Sequence, residues 1–167
     1  MNYVESLDYL DSLGKFGIKL GMERIEGLLK ELDNPEQKIK TVHVTGTNGK
    51  GSVTSMITNI LLAANLKVGK FTSPHLVKYN ERITLNGKDI SDDDFAMVIS
   101  AVKVAADSIV KKGVCEQPTQ FEILTAAAFL YFYLNKVDYA VIEVGMGCLW
   151  DSTNVITPVV SVITNVA

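Results

Sequence analysis

Few features of this sequence are typical of secreted, metal-binding or membrane-bound proteins. Its 167 residues include only two cysteines, Cys115 and Cys148, which are too few for a disulfide framework and lack metal-site spacing. No apolar run has the length of a membrane span, and the first ten residues contain Glu5 and Asp8 and no basic, apolar leader. We therefore expect a cytoplasmic protein without a targeting segment or a membrane partner.

An excess of positive charge is also missing. The chain has 16 Lys and Arg against 19 Asp and Glu, a formal net charge of -3, and its lysines form no stripe. This pattern argues against a nucleic-acid partner. A hydrophobic fraction of 47% and a charged fraction of 21% are ordinary for one soluble globular domain of this length. The composition gives no indication of oligomeric state.

Hydrophobic periodicity predicts strands that alternate with helices. The predicted helices cover residues 3–13, 22–32, 52–64, 91–112 and 119–135, and the predicted strands cover 41–45, 67–72, 82–85, 88–90, 139–144 and 159–164. Ser91 and Thr119 have the pattern of helix N-caps, and Asn86-Gly87 is typical of a hairpin turn. The last two strands are apolar and β-branched, as in strands that are covered on both faces. This alternation predicts an α/β doubly wound fold with a mostly parallel sheet.

A glycine-rich turn follows the first predicted strand and precedes a helix. Its residues are Gly46, Thr47, Asn48, Gly49, Lys50, Gly51 and Ser52. The glycines let backbone N–H groups converge on phosphate oxygens, the helix N-terminus adds partial positive charge, and Lys50 adds a full one. The turn departs from the general P-loop pattern at Val44 and Gly51, and a bland turn without a ligand is the alternative. Because such a turn has no use for Lys50, the sequence favours a nucleoside triphosphate site.

The departure at Gly51 removes the hydroxyl that usually holds magnesium in a P-loop. Ser52 and Ser73 are the candidate replacements, and we favour Ser73 because it follows a strand that ends at the same sheet edge. Glu143 lies inside a buried strand, where a carboxylate is costly unless it is paired or binds a cation. A Glu bonded to neighbouring backbone is the alternative, but Ser73 and Glu143 suit a Mg²⁺ site. His75 is interpreted as a structural hydrogen-bonding residue more readily than as a base.

Several separated segments together resemble one family, the folylpolyglutamate and dihydrofolate synthases of the Mur ligase superfamily. These segments are residues 43–52, Phe71-Thr72-Ser73-Pro74-His75-Leu76, Tyr79-Asn80-Glu81-Arg82-Ile83, Ile142-Glu143-Val144-Gly145 and Asp151-Ser152-Thr153-Asn154-Val155-Ile156. The resemblance implies a P-loop-type ATPase domain and an ATP-dependent ligase that adds L-glutamate to the glutamyl carboxylate of folates through an acyl phosphate. It also implies that residues 46–52 hold ATP, that Lys50 and Glu143 are catalytic, and that Ser73 and Glu143 bind Mg²⁺.

The same resemblance implies three segments that contact folate. These are Gly17, Ile18, Lys19 and Leu20, then Ser73, Pro74, His75 and Arg82, and finally Thr119, Gln120, Phe121 and Glu122. One departure is Cys148, followed by Leu149 and Trp150, where the family usually has a second glycine.

Length is the larger departure from the family. Members continue beyond residue 167 with a metal-binding histidine, a carbamylated lysine and a second domain. We therefore expect residues 1–167 to be an incomplete N-terminal ATP-binding domain without the glutamate-ligase domain, and to be inactive alone. A truncated, non-catalytic nucleotide-binding module and another Mur-type amide ligase are the alternatives.

Overall fold

The computed structural model describes residues 1–14, 21–147 and 149–166. Within these ranges, five α-helices and six strands follow one another in the order expected from the sequence. The helices are α1 (Tyr3–Leu13), α2 (Glu23–Glu31), α3 (Lys50–Ala63), α4 (Asp92–Lys111) and α5 (Gln120–Leu134). The strands are β1 (Thr41–Thr45), β2 (Val68–Phe71), β3 (Ile83–Leu85), β4 (Lys88–Asp89), β5 (Tyr139–Glu143) and β6 (Val160–Ile163).

One mixed sheet organises the chain. Its strand order is β4-β3-β2-β5-β1-β6. The pairs β2–β5, β5–β1 and β1–β6 are parallel, whereas β3 and β4 form the predicted antiparallel hairpin beside β2. The predicted α/β, mostly parallel architecture is confirmed. Since parallel strands end at one edge, the carboxyl ends of β2, β5, β1 and β6 lie side by side there.

The predicted helix starts rest on local hydrogen bonds. The Ser91 side chain accepts the Asp94 N–H at 3.1 Å at the start of α4. At the start of α5, Thr119 and Glu122 form the expected capping box, in which each side chain accepts the other residue's N–H. Helix α3 begins two residues earlier than predicted because Gly49, with a φ of 79°, supplies the turn that precedes it.

Helices cover the sheet on both faces. Helix α3 packs through Val53, Ile57 and Leu61 against strand residues on one face. On the other face α5 lies against the sheet with α1, α2 and α4 around it, and every residue from Glu122 to Phe132 is buried. This explains why α5 is apolar on all sides.

The expectation that β6 would be buried on both faces is wrong. Val160 is 51% exposed and Ile163 is 67% exposed. Among the described residues β6 is the outermost strand on its side and pairs with β1 alone. Composition could not separate the two cases, since β-branched residues suit central and edge strands alike. Strand β5, by contrast, is buried along Ala140 to Glu143, as expected.

Candidate functional site

The glycine-rich turn connects the carboxyl end of β1 to the N-terminus of α3. Gly46 and Gly49 have φ values of 137° and 79°, a region that side-chain-bearing residues rarely adopt. Val53 N–H donates to Gly49 O at 3.0 Å, as the first amide of the helix proper. The amides of residues 49–52 therefore precede the helical hydrogen-bond ladder and face the open end of α3.

Lys50 extends over the turn. Its Nζ donates to Gly46 O at 3.0 Å and to Thr47 O at 3.4 Å. An ammonium carries three donor hydrogens, so these two carbonyls leave capacity for an anion. The structure thus places a full positive charge and a helix N-terminus at one point, as the sequence predicts.

The segment after β6 is fastened to the glycine-rich turn. Thr47 N–H donates to Asn165 O at 2.8 Å, and Asn48 N–H donates to Asn165 Oδ1 at 2.9 Å. Thr164 Oγ1 donates to Asn48 O at 2.7 Å. Sequence reasoning missed Thr164 and Asn165. Their only signal was a polar pair at the end of a strand predicted to finish at this sheet edge, with Thr164 as its last residue and Asn165 directly after it.

Glu143 and Ser73 come together at the ends of β5 and β2. Ser73 N–H donates to Glu143 Oε2 at 3.1 Å. Gly51 lies directly opposite, since a Cβ added there would be 3.7 Å from both carboxylate oxygens. Ser52 lies on the exposed side of the first turn of α3. The geometry therefore favours Ser73 over Ser52 as the companion of Glu143.

Glu143 is 5% exposed, and its burial raises the pKa of its carboxyl group. The Ser73 N–H and the charges of Lys50 and Lys70 oppose that shift. Within the described ranges no three His, Cys, Asp or Glu side chains cluster as a metal site. One carboxylate and one hydroxyl are nevertheless a donor set that suits Mg²⁺ when phosphate and water complete its coordination.

An open cavity of about 390 Å³ lies between the turn and the ends of β5 and β6. Its lining residues are Thr45, Gly46, Thr47, Lys50, Gly145, Met146, Gly147, Ile163 and Val166. Gly145 needs to be a glycine because a Cβ there would lie 2.5 Å from Phe121 Cζ. Sequence reasoning did not identify the walls formed by Met146, Ile163 and Val166, because their apolar side chains carry no chemical signature.

A chain of hydrogen bonds runs from Met146 in the cavity wall through Asp151 and Thr153 to His43. Asp151 Oδ2 accepts the Met146 N–H at 2.7 Å, while Asp151 Oδ1 accepts the Thr153 Oγ1–H at 2.6 Å. Thr153 Oγ1 also contacts His43 Nε2 at 2.8 Å. Since the hydroxyl donates its one hydrogen to Asp151, His43 donates from Nε2. Burial lowers the pKa of His43, and the charge of Asp151 opposes that shift.

The loop between β2 and β3 is organised by one carboxylate. Glu81 accepts the N–H groups of Leu76, Val77 and Lys78 at 2.8, 2.9 and 2.8 Å. Leu76 and Val77 are nonetheless exposed at its tip. The loop therefore has a defined backbone and an apolar outer surface.

His75 belongs to the same loop and carries no sign of a catalytic role. Its Nδ1 accepts Arg82 Nε–H at 2.8 Å, and its ring packs against Tyr79 at a centroid distance of 4.4 Å. Burial, followed by the charge of Arg82, lowers the pKa of His75. These contacts agree with the structural role that the sequence favours.

The predicted folate residues at the start of α5 divide into two groups. Gln120 and Phe121 lie near the β2–β3 loop, since Gln120 Nε2 donates to Tyr79 Oη at 2.8 Å and Phe121 packs against Phe71 at 5.9 Å. Thr119 and Glu122 form the helix cap. Residues Gly17, Ile18, Lys19 and Leu20, and Cys148, lie outside the described residues.

Glu122 is further engaged in a buried ion pair. Arg24 Nε lies 3.1 Å from each carboxylate oxygen of Glu122, and the two residues are 8% and 4% exposed. The Oε2 atom of Glu122 also accepts the Thr119 N–H at 2.6 Å. The contacts of Glu122 are therefore those of a residue that holds α2 to α5.

Comparison with known proteins defines the class to which this site belongs. The sequence profile of the Mur ligase middle domain matches residues 44–167, so the chain belongs to the Mur ligase family. The described residues contain no helix with the length and apolarity to cross a membrane.

Within this family the chain is similar to folylpolyglutamate synthases. It is 43% identical to the folylpolyglutamate synthase of Lacticaseibacillus casei over 100% of this chain and 39% of that protein. It is 42% identical to the dihydrofolate synthase/folylpolyglutamate synthase of Bacillus subtilis over 98% of this chain and 38% of that protein. The resemblance predicted from the motifs is confirmed.

Solved structures of folylpolyglutamate synthases have the same fold as this chain. The apo form of the L. casei enzyme superposes with a TM-score of 0.94 at 43% identity, covering 100% of this chain and 41% of that one. A folylpolyglutamate synthase complex with AMPPCP and folate superposes with a TM-score of 0.92 at 43% identity, with the same coverage of both chains. The chain thus spans about 40% of the length of these relatives.

Proposed function

We propose that this chain forms the ATP-, Mg²⁺- and folate-binding part of a cytoplasmic folylpolyglutamate synthase. The observation that carries the proposal is the convergence of Lys50, the α3 N-terminus and the buried Glu143 carboxylate beside one open cavity. The relatives include a solved complex with AMPPCP, a non-hydrolysable ATP analogue, and with folate. The activity of the whole protein would join L-glutamate to the glutamyl carboxylate of a folate.

The proposed reaction has two steps. A carboxylate oxygen of folate takes the γ-phosphoryl group of ATP, and ADP leaves with the bridging oxygen. The amine of glutamate then attacks the acyl carbon, the carbon–oxygen bond to phosphate breaks, and the amine loses a proton as the amide forms. The protein's task in such a transfer is to position the reactants and to stabilise negative charge.

Named residues account for that task in this chain. The amides at the start of α3 and the Lys50 ammonium supply positive charge to the phosphates. Ser73 and Glu143 would hold Mg²⁺, which when bound neutralises charge on the transferring phosphoryl group. The exposed Leu76 and Val77, together with Phe121, offer an apolar surface beside the β2–β3 loop for the folate ring.

Nucleotide binding is the first test. Titration calorimetry of the 167-residue chain with ATP should show binding that strengthens when Mg²⁺ is added. Lys50→Ala should abolish this binding, because it removes the cation over the turn. Lys88→Ala is a matched control with the same charge change on β4, at the opposite edge of the sheet, and should bind ATP like the parent. Equal ATP binding by the parent and Lys50→Ala would show that the phosphate assignment is wrong.

The second test separates the Mur-type reactions. Thermal shifts with a reduced folate and with a nucleotide-linked muramyl peptide should show stabilisation by the folate alone. Release of ADP in the presence of folate, glutamate and Mg²⁺ then measures whether the chain catalyses the transfer. Binding of ATP and folate without ADP release is the expected result, because residues 1–167 are expected to be inactive alone; ADP release at a rate typical of ligases would contradict that expectation. Stabilisation by the muramyl peptide instead would identify a cell-wall ligase.

A further inference from the structure

We propose that Thr164 and Asn165 form a latch that holds the glycine-rich turn in its phosphate-binding shape, so that both are positioning residues for ATP. The proposal rests on the proposed function, since it assigns a role within the same nucleotide site. It further assigns the second and third amides of the turn, those of Thr47 and Asn48, to the latch and not to the phosphates.

The latch consists of three hydrogen bonds with complementary directions. Asn165 uses its backbone oxygen for Thr47 N–H at 2.8 Å and its side-chain Oδ1 for Asn48 N–H at 2.9 Å. Thr164 Oγ1 donates in the other direction, to Asn48 O at 2.7 Å. Asn48 is thus bonded through both its N–H and its C=O, so the two peptide units on either side of its Cα are each held by one hydrogen bond.

The latch is anchored to the sheet and closes tightly on the turn. Thr164 N–H donates to Thr45 O at 2.9 Å, which continues the pairing of β6 with β1. A Cβ added at Gly46 would collide with Thr164 Oγ1 and lie 2.9 Å from Asn165 O. Gly46 is therefore required by the approach of the latch as well as by its own positive φ.

The amides left for a ligand follow from this arrangement. A backbone N–H donates one hydrogen, and those of Thr47 and Asn48 are directed at Asn165. The amides of residues 49–52 lie before the first helical hydrogen bond, which Val53 donates to Gly49. These four amides and Lys50 are the donors that face the open end of α3, where an anion is stabilised by the helix dipole.

Preorganisation gives the latch its functional value. A turn that is already in its binding shape loses less conformational freedom when the ligand binds. Asn165 is exposed, so its bonds form in contact with water and each has a modest net effect. We expect loss of one latch contact to weaken ATP binding about fivefold to tenfold, without abolishing it.

Titration calorimetry with Mg²⁺-ATP tests this on four variants of the 167-residue chain. Thr164→Val removes the donor at constant shape, and Asn165→Ala removes the Oδ1 acceptor; both should raise the ATP dissociation constant about fivefold to tenfold. Thr164→Ser keeps the hydroxyl and should bind within about twofold of the parent. Asn59→Ala is the matched control, since Asn59 is an exposed residue of α3 whose side chain makes a local hydrogen bond to Ser55 O, and it should also match the parent.

Hydrogen exchange of individual amides, followed by NMR, tests the division of donors in the parent itself. Without ligand, the amides of Thr47 and Asn48 should exchange more slowly than those of residues 49–52. Addition of ATP should slow exchange at residues 49–52 and leave Thr47 and Asn48 protected. This measurement needs no substitution, so a variant that fails to fold does not impair it.

Distinct results would overturn the latch and the nucleotide site. Fast exchange at Thr47 and Asn48 in the free parent, or unchanged ATP affinity in folded Thr164→Val and Asn165→Ala, would overturn the latch. Equal weakening by Thr164→Ser and Thr164→Val would assign the effect to packing instead of the hydroxyl. If the amides of Thr47 and Asn48 exchange slowly in the parent but the parent binds no ATP, the proposed function is overturned and the latch has only a structural role.

Discussion

Replacement of Glu122 by Gln should destabilise the fold more than it affects any ligand. The change keeps the shape of the side chain but removes the charge that faces Arg24 across two contacts of 3.1 Å. With both residues more than nine-tenths buried, loss of one partner of such a pair costs about 3–5 kcal/mol. Because the Gln amide oxygen still accepts one hydrogen bond, the lower end, about 3 kcal/mol, applies.

A loss of about 3 kcal/mol is large against the total stability of a domain. For a chain of this length it should lower Tm by about 6–12 °C in calorimetry. The double variant Arg24→Met with Glu122→Leu replaces the pair by apolar side chains of similar size and should recover most of the loss. Folate binding by Glu122→Gln, measured well below its Tm, should equal that of the parent.

The opposite pattern would refute the assignment of Glu122 to the structural pair. If Glu122→Gln melts within about 2 °C of the parent, the buried contact has little energetic weight. If at the same time folate binding is lost, Glu122 is a ligand contact, as the motif resemblance implies. Thr119→Ala is a useful control, since it removes part of the same helix cap without a charge change and should cost about 1 kcal/mol.

Three further predictions concern the surroundings of the cavity. Burial raises the pKa of Glu143, so its stabilising contribution is complete at acid pH and is lost as the pH rises through the folded pKa. The free energy of unfolding of the parent relative to Glu143→Gln, from urea titrations, should therefore fall as the pH rises above about 4.5, the ordinary pKa of a Glu carboxyl; a constant difference would contradict the burial argument. Gly145→Ala should lower the free energy of unfolding by about 1–3 kcal/mol, because the new Cβ would lie 2.5 Å from Phe121 Cζ. The loss should be smaller when Phe121 is also replaced by Leu. If the effects of the two substitutions are simply additive, the contact does not cause the loss. The pKa of His43, measured by NMR, should lie below 6.5. The free energy of unfolding should therefore fall as the pH drops through about 6.5 in the parent, and it should fall less in His43→Gln. A pKa above 6.5 would show that the charge of Asp151 outweighs burial.

Local chemistry explains which parts of this molecule could be predicted from sequence. The turn around Lys50, the caps at Ser91 and Thr119, and the hairpin at Asn86 depend on residues within a few positions of one another. The pairing of Ser73 with Glu143 was also accessible, because both follow strands that end at the same edge of a parallel sheet.

Contacts that depend on strand order or on distant partners could not be predicted. Arg24 and Glu122 are 98 residues apart, and nothing in either segment indicates the other. Asn165 reaches the turn because β6 is the neighbour of β1, a fact that the alternation of strands and helices leaves open. The exposure of β6 was predicted wrongly for a related reason, since residue type alone does not tell an edge strand from a central one.

The order of the strands also fixes the distance between the two loops of the candidate site. The glycine-rich turn follows β1 and the β2–β3 loop follows β2, with β5 between them. Neighbouring strands lie about 4.8 Å apart, so the two loop origins are held about 10 Å from each other by the backbone of the sheet. Glu143, at the end of β5, stands at the midpoint. Under the proposed function, a phosphate donor held by the glycine-rich turn and an acceptor held by the β2–β3 loop would meet over that carboxylate. The strands keep the separation of the two loop origins constant.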